Sequence, residues 1–531
     1  MAQKARLNLT AATFPLVSTQ LGQSTFIRDQ KDTNYVITNN YSGSQADRDI
    51  GIPTHVYLQN VLPTTQGMKS VGFVKRTDGI PGAVFDKIFL LRDQDETKTL
   101  YSPARGKNYF LGPATPNLWQ SLQFQALQNG VATHAYVNGK TYIAYKQQGL
   151  YKYDPYINNF TAVPLSGIVA SSVHGVCGAN NYLIVWDHNT VYWSSAIDEL
   201  DFVPSLSTTS GSGKVQAARG AIVACLPIHD GFIVYTTANA IAATFSGNAR
   251  FPWTFREIPG SAGVTDPEHV TYDTNYDVHF AWTSSGLLEI TKQKAAPIWP
   301  ELTDFLTENL YEFPSAEIRN VQKASTWFSQ AQVYPNIEPL LTQVLLPNGF
   351  KVKLSFIGAR YVVVSYGPKE DDELQFALVY DIGLRRWGKL KFPHIDVFLW
   401  VQPNYNYGPI NAKDSFGLLR RDGAVYTVNF TDGANYDSLY LFGRIRLQRD
   451  FMTTLLGVQV ENVPLDTRFS AEVLTSLVGK THVPAKMYEV LRTPNLRRYH
   501  CRTTGLSHLL AFSGGFNFNS LEIEFTPAGR R

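Results

Sequence analysis

Cysteine is scarce in this chain. Three residues, Cys177, Cys225 and Cys501, are spread over 531 positions with no CxxC pair. A disulfide framework and a thiolate zinc site are therefore not what organises the fold. Charge is scarce too: charged residues make up 17 %, against roughly 25 % in an average globular protein, and the net charge is only +3. A general polyanion binder would show a clearly basic balance. No run approaches the ~18 apolar residues that a membrane-spanning helix needs. The best candidate, Gly220 to Tyr235, is broken by Pro227, His229 and Asp230. The opening MAQKARLNLTAATFPLV lacks the apolar centre and small-residue cleavage site of a secretory signal. We therefore expect a soluble protein from a reducing compartment, with no membrane anchor. The sequons at Asn8, Asn40, Asn159 and Asn429 carry no weight there.

Catalytic signatures are also missing. The eleven histidines are dispersed, and only His500 and His508 come near each other in sequence. Metal ligation needs several such groups to converge. No GxSxG, GxxxxGK[ST] or GxGxxG occurs, and Gly211-Ser212-Gly213-Lys214 reads as a turn because phosphate-loop spacing is absent. Many glycosidases hydrolyse sugars with paired carboxylates. Candidates are Asp187, Asp198, Glu199, Asp201, Asp230, Asp266 and Glu289. Most adjoin turn residues, where Asp accepts local backbone hydrogen bonds. No enzyme, cofactor or metal is expected, and a carbohydrate-binding or glycoside-hydrolysing protein is the alternative.

Aromatic residues are plentiful, with 28 Tyr and 31 Phe, and they favour strands. Residues 133–154, THAYVNGKTYIAYKQQGLYKYD, read as three short strands joined by an Asn138-Gly139 turn and a turn at Gly149. Asn-Gly suits the type I′ turn of a hairpin. Similar modules recur at 173–195, 221–246 and 269–292, and in weaker form at 85–112, 351–368 and 415–430. Taking Thr99, Thr141, Tyr182, Phe232, Val278, Tyr361 and Ala424 as the second-strand starts gives intervals of 42, 41, 50, 46, 83 and 63. Repeats of ~40–50 residues made of small antiparallel meanders are the signature of propeller blades. The interval of 83 contains an insertion, 297–334; without its 38 residues it becomes 45. The fold expected is all-β, a six- or seven-bladed β-propeller over 85–450. Trp193, Trp282 and Trp387 should pack between blades.

Within the insertion, Leu302, Phe305, Leu306 and Leu310 fall on one helical face behind Pro300. This predicts a small helical insertion that either caps the propeller's side or docks a neighbour. Residues 1–84 lack the blade pattern and read as an extended arm rich in Asn, Gln, Ser and Thr. From 451 to 531 the strands lengthen, as in a β-sandwich-like domain. Two charged features stand out. Lys369-Glu370-Asp371-Asp372-Glu373 forms an acidic hairpin tip, either a solvated loop or a docking and channel-lining element. Arg492, Arg497, Arg498 and Arg502 form a basic group, with Arg530 and Arg531 at the end; they read as a solvated face or as contacts to an acidic subunit.

Several segments together resemble the propeller tail-tube, nozzle or hub proteins of short-tailed double-stranded DNA bacteriophages. These are VYWSSAIDELDFVPS (191–205) followed by Gly211 and Gly213, LLEITKQKAAPIWPELTDFL (287–306) and LVYDIGLRRWGKLKFP (378–393). IPTHVYLQNVLPTTQG (52–67) before VGFVKRTDGIPG (71–82), and Leu496-Arg497-Arg498 before two strands, complete the pattern. The resemblance spans nearly the whole chain, through order and pattern and not through a catalytic motif. It implies a virion tail component: six copies in a ring below the portal-adaptor proteins, forming the distal channel for genome ejection. Such a ring carries fibres, spikes or a plug, and lets DNA pass without specific binding. The resemblance makes Glu370, Asp371, Asp372, Glu373, Arg497 and Arg498 candidate docking or channel residues. The chain departs from larger family members in being compact, which implies that insertions bearing gate loops are absent or supplied by other proteins.

Overall fold

The computed structural model describes residues 2–8, 49–51, 55–65, 67–92, 98–104, 107–112, 118–122, 132–157, 159–249, 251–273, 277–298, 350–358, 360–384, 386–400, 416–429, 438–442, 447, 451–463, 469–476, 482–485, 487–493 and 496–530. Among them there is no α-helix, only two single 3-10 turns, Ala170–Ser172 and Pro267–His269. Strands do the rest, as the Tyr, Phe, Val and Ile content requires.

Six consecutive antiparallel meanders of four strands run over 89–122, 132–162, 175–214, 222–257, 270–297 and 350–394. A seventh begins with Asp396–Leu399, Phe416–Leu419 and Val425–Asn429. Its fourth strand, Gly72–Thr77, comes from the other end of the chain. The Asn138-Gly139 turn adopts positive φ at both residues (49° and 77°) between paired Val137 and Lys140, as the type I′ reading requires. From the second meander to the seventh, the first strands of successive meanders lie side by side. The Ile88 amide donates to Asp396 (3.0 Å) where the seventh meander meets the first. The architecture is that of a β-propeller, since a single meander cannot bury both of its faces and must stack on neighbours. Trp193, Trp282 and Trp387 are all buried. Trp193 sits in the core shared by the third and fourth meanders, its indole N–H bonded to the Thr209 carbonyl at 2.9 Å.

Two expectations are corrected. Thr99, Thr141, Tyr182, Phe232, Val278 and Tyr361 do lie at or next to the start of a second strand, but Ala424 precedes a third strand. The seventh meander's second strand starts at Phe416. Its module read short because its fourth strand is missing from that part of the sequence. For the same reason the arm, expected over 1–84 outside the blades, supplies a blade strand at Gly72–Thr77.

The rest of the described arm is equally built in. The hairpin Val61–Thr64 and Gly67–Ser70 adds to Arg386–His394, and Asn517–Phe518 adds to that hairpin, so one seven-stranded sheet runs from propeller to C-terminal domain. Gly388 permits the joint: a Cβ there would lie 2.5 Å from the Val61 carbonyl. Buried Asn60, at φ 53°, fastens the corner by accepting from the Lys391 amide at 2.8 Å and, through its carbonyl, from Val71 (2.9 Å) and Ser438 (3.0 Å).

The C-terminal strands form two sheets around a core that includes Val458, Val460, Phe512, Phe518, Ile523 and Phe525. This sandwich also recruits Gln3–Asn8 and His55–Gln59 from the N-terminal part. The predicted helices of 297–334 fall outside the described residues, apart from Pro297, which ends the strand Ala295–Pro297, and Ile298.

Candidate functional site

The start of the propeller's first strands brings four charged side chains together. Asp266 caps the 3-10 turn by accepting from the Glu268 amide (2.8 Å), with Pro267 at the first position, and this aims Glu268 inward. Lys353 reaches it from the sixth meander (2.9 Å) and Asp396 from the seventh meets the same ammonium (3.2 Å). Lys87, ahead of the first meander, lies 3.9 Å from Glu268 and donates to the Ala132 carbonyl of the second at 3.5 Å. Burial opposes the Lys353 charge, but Asp396 and Glu268 outweigh it and hold its pKa above the ordinary lysine value. Burial likewise opposes the Glu268 carboxylate, and Lys353 and Lys87 outweigh it, leaving a pKa of about 2. Lys87 is pushed down by burial, partly offset by Glu268.

Two cations and two anions face one another, and together they can clamp meanders 1, 2, 5, 6 and 7. Sequence reading missed all four roles. Charges set within the apolar first strands, Lys353 in FKVKLSFI and Asp396 in DVFL, were the available signal.

The acidic tip lies where expected, between Tyr361–Pro368 and Leu374–Asp381, yet much of its charge is committed. Glu373 accepts from Arg420 Nε (2.7 Å) and from the Arg421 amide (2.8 Å), and Asp372 pairs with Arg421. Lys351 donates to the Asp371 carbonyl at 2.6 Å. Glu370 is exposed. The tip thus locks the sixth meander to the turn of the seventh, beside an open cavity of about 430 Å³ lined in part by Asp371, Asp372, Arg420 and Asp422.

The arginines separate. Arg497 is fully buried in the sandwich, its guanidinium 5.4 Å from the Phe469 ring centre, so it is not part of a solvated or docking face. The alternation of the strand Leu496–Gly505 turns Arg497 inward and Arg498 outward, where it pairs with Glu524 at 2.5 Å. The acidic tip belongs to the propeller and the arginine pair to the sandwich, so the candidates do not form one site.

The carboxylates weighed for sugar chemistry serve locally. Asp187 accepts from the Asn189 and Thr190 amides (2.9 and 2.7 Å) and from the Tyr192 hydroxyl (2.9 Å). Asp198 and Asp201 accept from amides two residues on, and Asp230 pairs with Lys292. Glu199 is buried against Lys140 and the Tyr142 hydroxyl, the latter at 2.8 Å. Glu289 is exposed on its strand. Among the described residues no group of His, Cys, Asp and Glu could hold a metal, and no helix is long and apolar enough to cross a membrane.

Large apolar side chains stand in water along one margin, a feature that strand periodicity did not reveal. Tyr156 (96 % exposed) and Ile157 occupy the third-to-fourth connection of the second meander. Ile197 (81 %) and Leu206 occupy that of the third; Phe251 occupies that of the fourth, and Phe245 ends the strand before it. Antiparallel alternation points these connections toward the same end of the ring.

No family model matches the chain, and no curated protein matches it. Among solved structures, a YCF48 described as bound to a D1 peptide aligns over 71 % of this chain and 98 % of its own, at 9 % identity and a TM-score of 0.36. YCF48 from Cyanidioschyzon merolae aligns over 67 % of this chain and 98 % of its own, at 11 % identity and a TM-score of 0.38.

Proposed function

We propose that the chain is a non-enzymatic structural subunit of a short-tailed bacteriophage tail, a nozzle or hub protein of the virion made in the host cytoplasm. In this reading each four-stranded meander is one blade, which gives seven. Six copies form a ring that receives the portal-adaptor proteins on one side and fibre, spike or plug proteins on the other. DNA passes between the copies without specific binding. Each phosphate contact would add salt-sensitive affinity, and a net charge of only +3 over the whole chain agrees with few such contacts.

The observation that carries the proposal is the apolar margin on three successive meanders. Exposed large apolar side chains recur at the same connection of three successive meanders, and a subunit in a closed ring would bury such side chains against its neighbours. The sheet shared by propeller and sandwich supports the same reading, since it makes a stiff two-part wall.

The test is to remove the protein from the infecting particle. Packaged heads should form but leak DNA or fail to infect, with distal fibres or plug missing. Supplying the Ile197→Asp, Leu206→Asp double variant should give a folded chain that does not enter tails. Particles that keep complete tails and normal infectivity without the protein would overturn the proposal.

A further inference from the structure

The six-stranded sheet of the sandwich ends, among the described residues, on the strand Tyr488–Thr493. Four other terminal strands are blunted in ways proteins use against edge-to-edge pairing. Ala295–Pro297 and His482–Ala485 carry Pro297 and Pro484, and Gln120–Leu122 and Asp49–Gly51 are only three residues long. Tyr488–Thr493 has six residues, no proline and no glycine, and its first five residues are exposed. Tyr488 is 58 %, Val490 51 % and Leu491 41 % exposed.

Register assigns the faces. Tyr488 and Leu491 stand opposite His500 and Arg498. Glu489 and Arg492 stand opposite Tyr499 and Arg497, two buried positions of the neighbouring strand. The register shift between Glu489 and Leu491 is what puts the acid and the base on one face. Apolar residues thus meet water on an edge strand long enough to template another strand.

We infer that Tyr488–Thr493 pairs antiparallel with the same strand of a second copy of this chain, about a two-fold axis between Val490 and Leu491. Charge selects this occupant and this register. Reversed on itself, the strand sets Glu489 of each copy opposite Arg492 of the other, and Val490 opposite Leu491. Parallel in-register pairing would set like charges side by side, which destabilises a sheet. Within one chain Glu489 and Arg492 already stand 4.0 Å apart on that face, so the pairing gathers both acids and both bases into one four-charge cluster. The register shift at Val490 recurs in both copies, and the two-fold therefore preserves the match. Two six-residue strands make a contact at the weak, transient end of protein interfaces. A two-fold contact also differs from the head-to-tail contacts that build a ring; it joins free chains, and it stands whether or not the ring reading holds.

The test is sedimentation equilibrium of the full chain from about 1 to about 100 µM. The wild type should show a monomer–dimer equilibrium. Glu489→Arg and Arg492→Glu should each weaken it by about tenfold or more, because both symmetry-related pairs turn repulsive. An equimolar mixture of the two variants should dimerise again, since each reversed charge then meets its complement. Amide exchange over 488–493 should slow in the dimer. A wild type that stays monomeric throughout, single reversals without effect, or a mixture that fails to recover would each overturn the inference.

Discussion

Lowering the pH from 7 to 5 should remove a large part of this protein's stability through three histidines. His279 is fully buried in the fifth meander; its Nε2 donates to the Pro227 carbonyl (2.9 Å), so its Nδ1 accepts from the Tyr235 hydroxyl (3.0 Å). His394 is arranged likewise, with Nδ1 donating to the Phe392 carbonyl (2.6 Å) and Nε2 facing Ser365 Oγ (2.9 Å). His508 bridges Thr453 and Thr475 in the sandwich at 3.0 and 3.2 Å. Burial lowers the pKa of each from 6.5 to about 4. The folded pKa lies below the unfolded one, so between pH 6.5 and 4 the unfolded chain binds the protons first. Stability therefore falls as pH falls through that window and levels off below it.

A shift of about 2.5 units at about 1.4 kcal/mol each makes roughly 3 kcal/mol per histidine, of which about 2 is lost by pH 5. Three such losses make about 6 kcal/mol, comparable with the whole stability of many domains. Urea unfolding between pH 7.5 and pH 4.5, followed by tryptophan fluorescence, measures this. His508→Gln, which keeps an amide to face both threonines, should flatten the dependence by about a third even if it lowers stability at pH 7. An unfolding free energy that changes by less than about 1 kcal/mol between pH 7 and pH 5 would refute the reasoning.

Two further outcomes follow from the packing. Trp193→Ala should cost roughly 3–5 kcal/mol, read as a lowered melting temperature, because it empties a core shared by two meanders; an unchanged melting temperature would mean the side chain is not buried there. Asp396→Ala should cost roughly 3–5 kcal/mol in urea unfolding, since it leaves the buried Lys353 with Glu268 alone and strips the Ile88 amide of its acceptor; a loss under about 1 kcal/mol would show that the clamp contributes little.

Local rules carried the propeller. Strand residues and turn residues such as Asn138-Gly139 act over a few positions, so the meanders and six of the seven second-strand positions were legible in order. Burial of Trp193, Trp282 and Trp387 followed from apolar neighbours in those strands. What pairing at long range decides was not legible. Gly72–Thr77 reads as a polar arm, and only the unfilled edge of Val425–Asn429, some 350 residues away in sequence, makes it a blade strand. Gly388 carries no local sign of the Val61 backbone that packs beside it. Charge behaved the same way. Arg497 and Arg498 are neighbours in sequence, and strand alternation against a second sheet put one in the core and the other on a glutamate. Glu373 belongs to an acidic run, but the turn of the next meander supplied Arg420 and Arg421. The sequence by itself determined which segments are strands and how often they recur. The tertiary structure alone decided which strand closes the ring and which charges meet, because both depend on partners that no local pattern names.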